Sequence, residues 1–252
     1  MTGDDVVAAL DLPAACHVGR RIPKSLLIEQ GGLTGSYKRQ VNEGIERLNW
    51  CAVVKPETAG VPEYRDVTRE YLEIAVLHVE FRIGANRARL RELLHRVVPY
   101  PAVQVETLDG QQAISLAHKR FSLASTGEMV IDGAVNSCDL HPALGPDVSD
   151  AFLAAMALRH QPRESMMSLY QGWLDTLAAL QAAQITGRFC EVEPGDEAEA
   201  RRVALERWNE IRDEMASLRF AAKKTKQMRR LSEINTRIQQ LKARESETMS
   251  SL

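Results

Sequence analysis

The alternation of apolar and polar positions divides the chain into a sheet-forming first part and a helical second part. Along Tyr71 to Arg82, Leu72, Ile74, Val76 and His78 fall on one side, and Glu73, Ala75, Leu77, Val79 and Phe81 fall on the other. Both sides are largely apolar, which predicts a central strand covered on two faces. Ala102 to Leu108 and Gln112 to His118 form two more strands around Asp109-Gly110, a dipeptide suited to the positive φ angles of a tight hairpin. Trp50 to Lys55 reads as a further strand followed by a loop from Pro56 to Pro62, and Met129 to Ile131 has weak strand character before loop chemistry around Asn136.

Helical spacing fills the intervals. Asp4 to Leu10 is a short amphipathic helix or turn, and Thr34 to Leu48 puts Val41, Ile45 and Leu48 on one face with Thr34 or Ser36 as N-cap. Asn86 to Val98 turns Leu90, Leu93, Leu94 and Val97 inward and Arg87, Arg89, Arg91 and Arg96 outward, until Pro99 and Pro101 stop it. Asp147 or Ser149 opens a helix through Arg159. Ser165 to Gln184 carries an apolar stripe at Leu169, Trp173, Leu177 and Leu180, with Gly187 as its C-terminal cap. Strand, helix and hairpin in this order predict an α/β or α+β fold, a mixed sheet with flanking helices over residues 1–145. A helical segment over 146–190 and a long basic helical or coiled-coil-like arm over 191–252 complete the expected organisation.

The arm is the least ordinary stretch. Glu197 to Arg244 contains neither proline nor glycine, and from Arg219 to Arg244 nine Lys or Arg residues face one acid, Glu233. Acids lead into this arm and bases follow, which suits the macrodipole of a single helix. Ile211, Met215, Leu218 and Ala222 trace one coiled-coil seam, and Leu231, Ile234, Ile238 and Leu241 trace a second, one residue out of phase with the first. Two half-seams separated by a basic middle predict an arm that folds back on itself or changes partner partway.

Composition narrows the function classes. A hydrophobic content of 44% with 26% charged residues is that of a globular chain, and the net charge of −2 gives no overall attraction for nucleic acid. Cys16, Cys51, Cys138 and Cys190 are scattered without a CxxC pair, so no structural metal and no cofactor are expected. The acidic start MTGDDVVAALDLP is unlike a signal peptide, and no apolar run nears the roughly 20 residues that span a bilayer. A cytoplasmic protein without a membrane partner is the expectation.

The candidate chemistry is sparse. Glu70, Glu73 and Glu80 on or beside the central strand could serve a metal-dependent nuclease, but Glu73 and Glu80 point to opposite faces of a regular strand and no acid-x-lysine pairing follows. No nucleophile elbow, HExxH helix or phosphate-binding loop accompanies the six histidines; His78 reads as a hydrogen-bonded core group and His118, beside Lys119-Arg120, as a surface one. Basic residues make the stronger case, because phosphate binding needs only positioned positive charge. Few aromatics and no reader motif weigh against direct DNA contact, and the arm's apolar seam, which needs covering while its charges do not, favours a protein partner.

The blocks LDLPAACHVGRRIPK, VNEGIERLNW, LEIAVLHVEF, VVPYP, ISLAHKR and KTKQMRRLSEIN, in this order, resemble the bacterial domain-of-unknown-function family 4391. In the tail, Lys226, Gln227, Arg230, Glu233 and Asn235 fall on that family's KQ…K.E.N pattern, while Met228 replaces a common Phe and Arg82 a common Lys. The resemblance implies a companion of helicases and DNA methyltransferases in restriction-like, phage-defence settings. The resulting expectation is a non-catalytic adaptor of a DNA-processing assembly. Its partner would be a helicase or methyltransferase subunit, or a second copy bound through the C-terminal helix. A metal-dependent nuclease and a nucleic-acid-binding module are the alternatives. The candidate contact residues are Arg20, Arg21 and Lys24 near the N-terminus, and Lys223, Lys224, Lys226, Gln227, Arg229, Arg230, Glu233 and Asn235 in the tail.

Overall fold

A computed structural model describes residues 1–125, 127–141, 144–191, 195–225 and 227–252. A six-stranded mixed sheet runs in the order β1 (His17–Arg21), β2 (Ile45–Val54), β5 (Ile74–Phe81), β6 (Ala102–Leu108), β7 (Gln111–Phe121) and β8 (Met129–Leu140). A separate two-stranded ribbon pairs β3 (Tyr64–Arg65) with β4 (Glu70–Tyr71). Only β5 and β6 are parallel, and α5 (Arg87–Val97) makes the crossover that a parallel pair requires. Asn86 caps α5 by accepting a hydrogen bond from the Arg89 N–H. The tight hairpin predicted at Asp109-Gly110 is present, with φ of 50° and 73° at the two residues.

The strand at Tyr71 to Arg82 is central, as its two apolar faces require, although its regular part begins at Ile74. One face buries Ala75, Leu77, Val79 and Phe81 against Leu90, Leu93 and Leu94 of α5. The other face meets α1 (Gly3–Ala9), where the buried His78 bonds Thr107 Oγ1 at 2.9 Å, a core histidine as its apolar setting suggests. Tyr170, in α7 (Met166–Thr186), has no exposed surface and ties β6 to β7: its hydroxyl donates to Ala102 O and accepts from the Ala117 N–H.

Two helical readings differ from the structure. The helix expected over Thr34 to Leu48 is α3 (Ser36–Gly44), preceded by α2 (Lys24–Gln30), and the chain enters β2 at Ile45. Ile45 and Leu48, three apart, would face opposite ways on a regular strand. A register irregularity between Ile45 and Arg47 returns both to one core, so a bulge imitates helical spacing. Likewise, α6 (Pro146–Ala155) starts from Gly145 and not from Asp147 or Ser149, and Leu158–His160 is a 3-10 turn. The stretch around Asn136 belongs to the 12-residue edge strand β8.

The chain divides into two compact units, residues 1–177 and 178–252, with the boundary inside α7. In the second unit, α8 (Asp196–Lys224) and α9 (Met228–Met249) form a helical hairpin. Ile211 and Met215 of the first seam pack with Leu241 of the second, with Leu218 alongside. Arg237 donates to Glu214 at 2.7 Å across the hairpin, and Arg212 to Glu245 at 3.3 Å. The arm therefore folds back on itself, and the phase slip in the sequence marks the turn. A four-residue helix, α4 (Pro56–Ala59), follows β2. Among the described residues, no helix is long and apolar enough to cross a membrane.

Candidate nucleic-acid interface

The hairpin changes what the basic residues of the arm can do. Thr225 closes α8 with an N–H to Ala221 O bond of 3.2 Å, and α9 starts after Gln227, whose side chain does not cap it. Lys223 and Lys224 occupy the last turn of α8, where bases offset the negative end of the helix dipole. Their position has a structural explanation. Arg229 and Arg230, however, stand in the first turn of α9, which contains no acid. There the dipole is positive and cations are unfavourable. In a single continuous helix they would lie mid-helix, away from either terminus; the turn puts them at a positive end.

Arg229 has one partner in reach, Glu233 at 3.3 Å, with side chains 94% and 64% exposed, an arrangement that contributes little stability in water. Among the described residues, Arg219, Lys223, Lys224 and Arg230 have no carboxylate at ion-pair distance. Gln227 and Asn235 are exposed, and Lys226 lies outside the described residues. The tip thus collects unneutralised cations beside the uncapped N–H groups of α9, both of which favour an anion. It also carries two apolar side chains that belong to neither seam: Phe220 is 60% exposed and Met228 80%.

The N-terminal candidates occupy an edge of the first unit. Arg20 and Arg21 are exposed on edge strand β1, opposite Trp50 and Asn49, and as neighbours on a strand they turn to different faces. Lys24 donates to Asn42 O at 3.1 Å, and its pKa is lowered by partial burial and by the nearby Arg82. Glu46, bonded to Arg82, is held below the ordinary carboxylate range by that guanidinium. Arg21 and Arg47 line an open groove of about 570 Å³ with His17, Asn49, Cys51 and Asp4. Arg47 already pairs with Glu80 at 3.3 Å, and Glu46, bonded to Arg82, also lies within electrostatic reach of Lys24 and Arg21, so part of this patch's charge is answered within the fold.

The arginines of α5 correct the outward assignment. Arg87 and Arg91 lie one turn apart and reach inward to Glu106 of β6, a carboxylate with no exposed surface, at 2.8 Å and 2.7 Å. Ser115 Oγ also donates to Glu106 at 2.8 Å, and His95 Nε2 lies 3.0 Å from the same hydroxyl. Only Arg89 and Arg96 are outward, and both stack over Tyr37. His118 is not a surface group either, since it bonds Tyr71 and, at 2.8 Å, Gln171. Lys119 is fully buried and donates to the carbonyls of His95 and Val98, so it closes the end of α5; burial pushes its pKa down to about 8.

Of the three acids considered for metal chemistry, Glu80 stands apart from the other two. Glu70 bonds Arg65, and Glu73 lies 3.8 Å from Lys55. Both line an open groove of about 520 Å³ that also includes Glu57, Glu63 and Tyr100. Glu80 is about 23 Å from Glu73 along the strand. Among the described residues, no group of three or more His, Cys, Asp or Glu side chains has a metal-holding arrangement.

The fold is thus a mixed six-stranded α/β sheet domain continued by a helical hairpin. A family model described as Domain of unknown function (DUF4391) matches residues 10–244, and the chain belongs to that family. No curated protein and no solved structure matches it.

Proposed function

We propose that this protein is a non-catalytic accessory subunit of a DNA-processing assembly, and that the tip of its α8–α9 hairpin carries the contact with DNA. The observation behind this reading is the placement of Arg229 and Arg230 at the positive end of α9, where helix electrostatics oppose them and no acid of the first turn answers them. A phosphate group removes that conflict. It would accept from the guanidinium groups and from the free N–H groups of the helix start together. Ile211, Met215 and Leu241 of the two seams cover one another, so the seams leave the charges of the tip to a partner. The resemblance that implies helicase and methyltransferase companions agrees with a subunit that touches the same substrate as they do.

The test is the salt dependence of binding to a short labelled duplex. The wild-type chain should lose affinity steeply with salt. Replacing Arg229 and Arg230 by alanine should lower the log–log slope by about 2, at about 0.9 per phosphate contact. An unchanged slope removes the tip as the contact. The same duplex incubated with Mg²⁺ should stay intact; metal-dependent cleavage lost in Glu73→Ala or Glu80→Ala would replace the accessory role with a nuclease.

A further inference from the structure

We infer that the hairpin tip takes nucleic acid at unpaired bases, with Phe220 as the surface on which a base stacks. This rests on the phosphate-binding reading of the same tip and adds a substrate preference to it. Phosphate contact alone requires cations and N–H groups and has no use for an exposed aromatic ring. Yet Phe220, alone among the five phenylalanines, is exposed.

Its position excludes a core role within the hairpin. Leu218 and Ala222 belong to the seam, and Phe220 lies two residues from each, about 200° around the helix at 100° per residue. The ring is therefore on the side away from α9. Lys224, one turn further on, holds its ammonium 4.0 Å from the ring centroid. That contact places a cation against one face of the ring, which leaves the opposite face for a base and the charge beside it for that nucleotide's phosphate. Met228, 80% exposed at the first position of α9, offers a second apolar side chain at the same end of the hairpin, next to Arg229 and Arg230.

An intact duplex keeps the faces of its bases stacked on one another, so a protein ring gains nothing there without breaking a stack. A single strand, gap or fork presents a free base face. The combination of cations with an exposed ring and thioether therefore favours unpaired over paired strands of equal charge.

The experiment compares a labelled single-stranded oligonucleotide, a gapped duplex and an intact duplex by fluorescence anisotropy, using the full chain. Phe220→Ala should weaken binding to the single strand and the gap about tenfold while leaving duplex affinity and the salt slope unchanged. Phe220→Trp should restore the single-strand preference, and circular dichroism should show unchanged helicity in both variants. Equal weakening on all three substrates, or no weakening on any, overturns the stacking role but leaves phosphate binding intact. Wild-type protein that binds none of the three fails both readings at once, whereas a reduced salt slope in the Arg229 and Arg230 variant with the single-strand preference kept supports both as separate contacts.

Discussion

Arg91 meets Glu106 through two hydrogen bonds, Nε to Oε1 at 2.7 Å and Nη2 to Oε2 at 2.9 Å, and the carboxylate it meets has no exposed surface. Arg87 adds a third bond and Ser115 a fourth. Four donors on one carboxylate mean that removing it leaves the partly buried Arg91 without its counter-charge and Arg87 with only the more exposed Asp139, at 3.1 Å. Glu106→Ala should therefore cost about 3–5 kcal/mol. Urea unfolding of the full chain, followed at the sheet-domain transition, measures this. A loss below about 1 kcal/mol would show that the cluster is dispensable.

The hairpin depends on Met215, which has no exposed surface and packs with Ile211 and Leu241. Met215→Ala should destabilise the second unit by about 2–5 kcal/mol. Amide exchange across Ile211 to Leu241 should accelerate while that of β5 and β6 stays as in the wild type. Fast exchange in the wild type throughout the hairpin would mean that the seams do not cover each other.

His95 sets a pH dependence. Burial first, then the charges of Lys119 and Arg91, lower its pKa from the ordinary 6.5 to about 3. Between these values the unfolded chain binds a proton that the folded chain refuses. Stability should thus decline as pH falls from 6.5 toward 3, and His95→Gln should flatten that part of the profile. Parallel urea-midpoint profiles for the two proteins would contradict the assignment.

Gly3 leaves room for the buried imidazole of His78: a Cβ there would collide with His78 Nε2. Gly3→Ala should push the ring away from Thr107 and cost about 1–3 kcal/mol through overpacking and the lost bond. The double variant Gly3→Ala with His78→Ala should recover part of the loss. Additive losses would show that the two positions act independently.

Features encoded by a few adjacent residues are legible in the sequence. The Asp109-Gly110 hairpin and the apolar stripe of α7 are of this kind. The bulge at Ile45 is not, because its spacing of four from Val41 and three to Leu48 satisfies a helix as well as a distorted strand. Of the candidate contacts, the basic residues of the tip stand out in the charge pattern. Their distinction from those of the N-terminal edge does not, because Glu46 and Glu80 meet Arg82 and Arg47 beside that edge only in the folded sheet. Phe220 and Met228 are apolar positions off the seam, and spacing along one helix does not say whether another surface covers them.

Periodicity sets the sheet-then-helix organisation, the central strand and the two seams of the arm, because backbone geometry repeats every two residues or every 3.6 and burial follows that repeat. Which charges are free is a property of the packed chain. Arg87 and Arg91 have the i, i+4 spacing of a solvated helix face. Only the crossover that brings β6 beneath α5 supplies Glu106, 19 and 15 residues away in sequence, and turns them into a buried cluster. In the same way, the turn after α8 moves Arg229 and Arg230 from the interior of one long helix to the unfavourable start of another. Coulomb interactions depend on distance in space, and sequence spacing fixes that distance only within a single element.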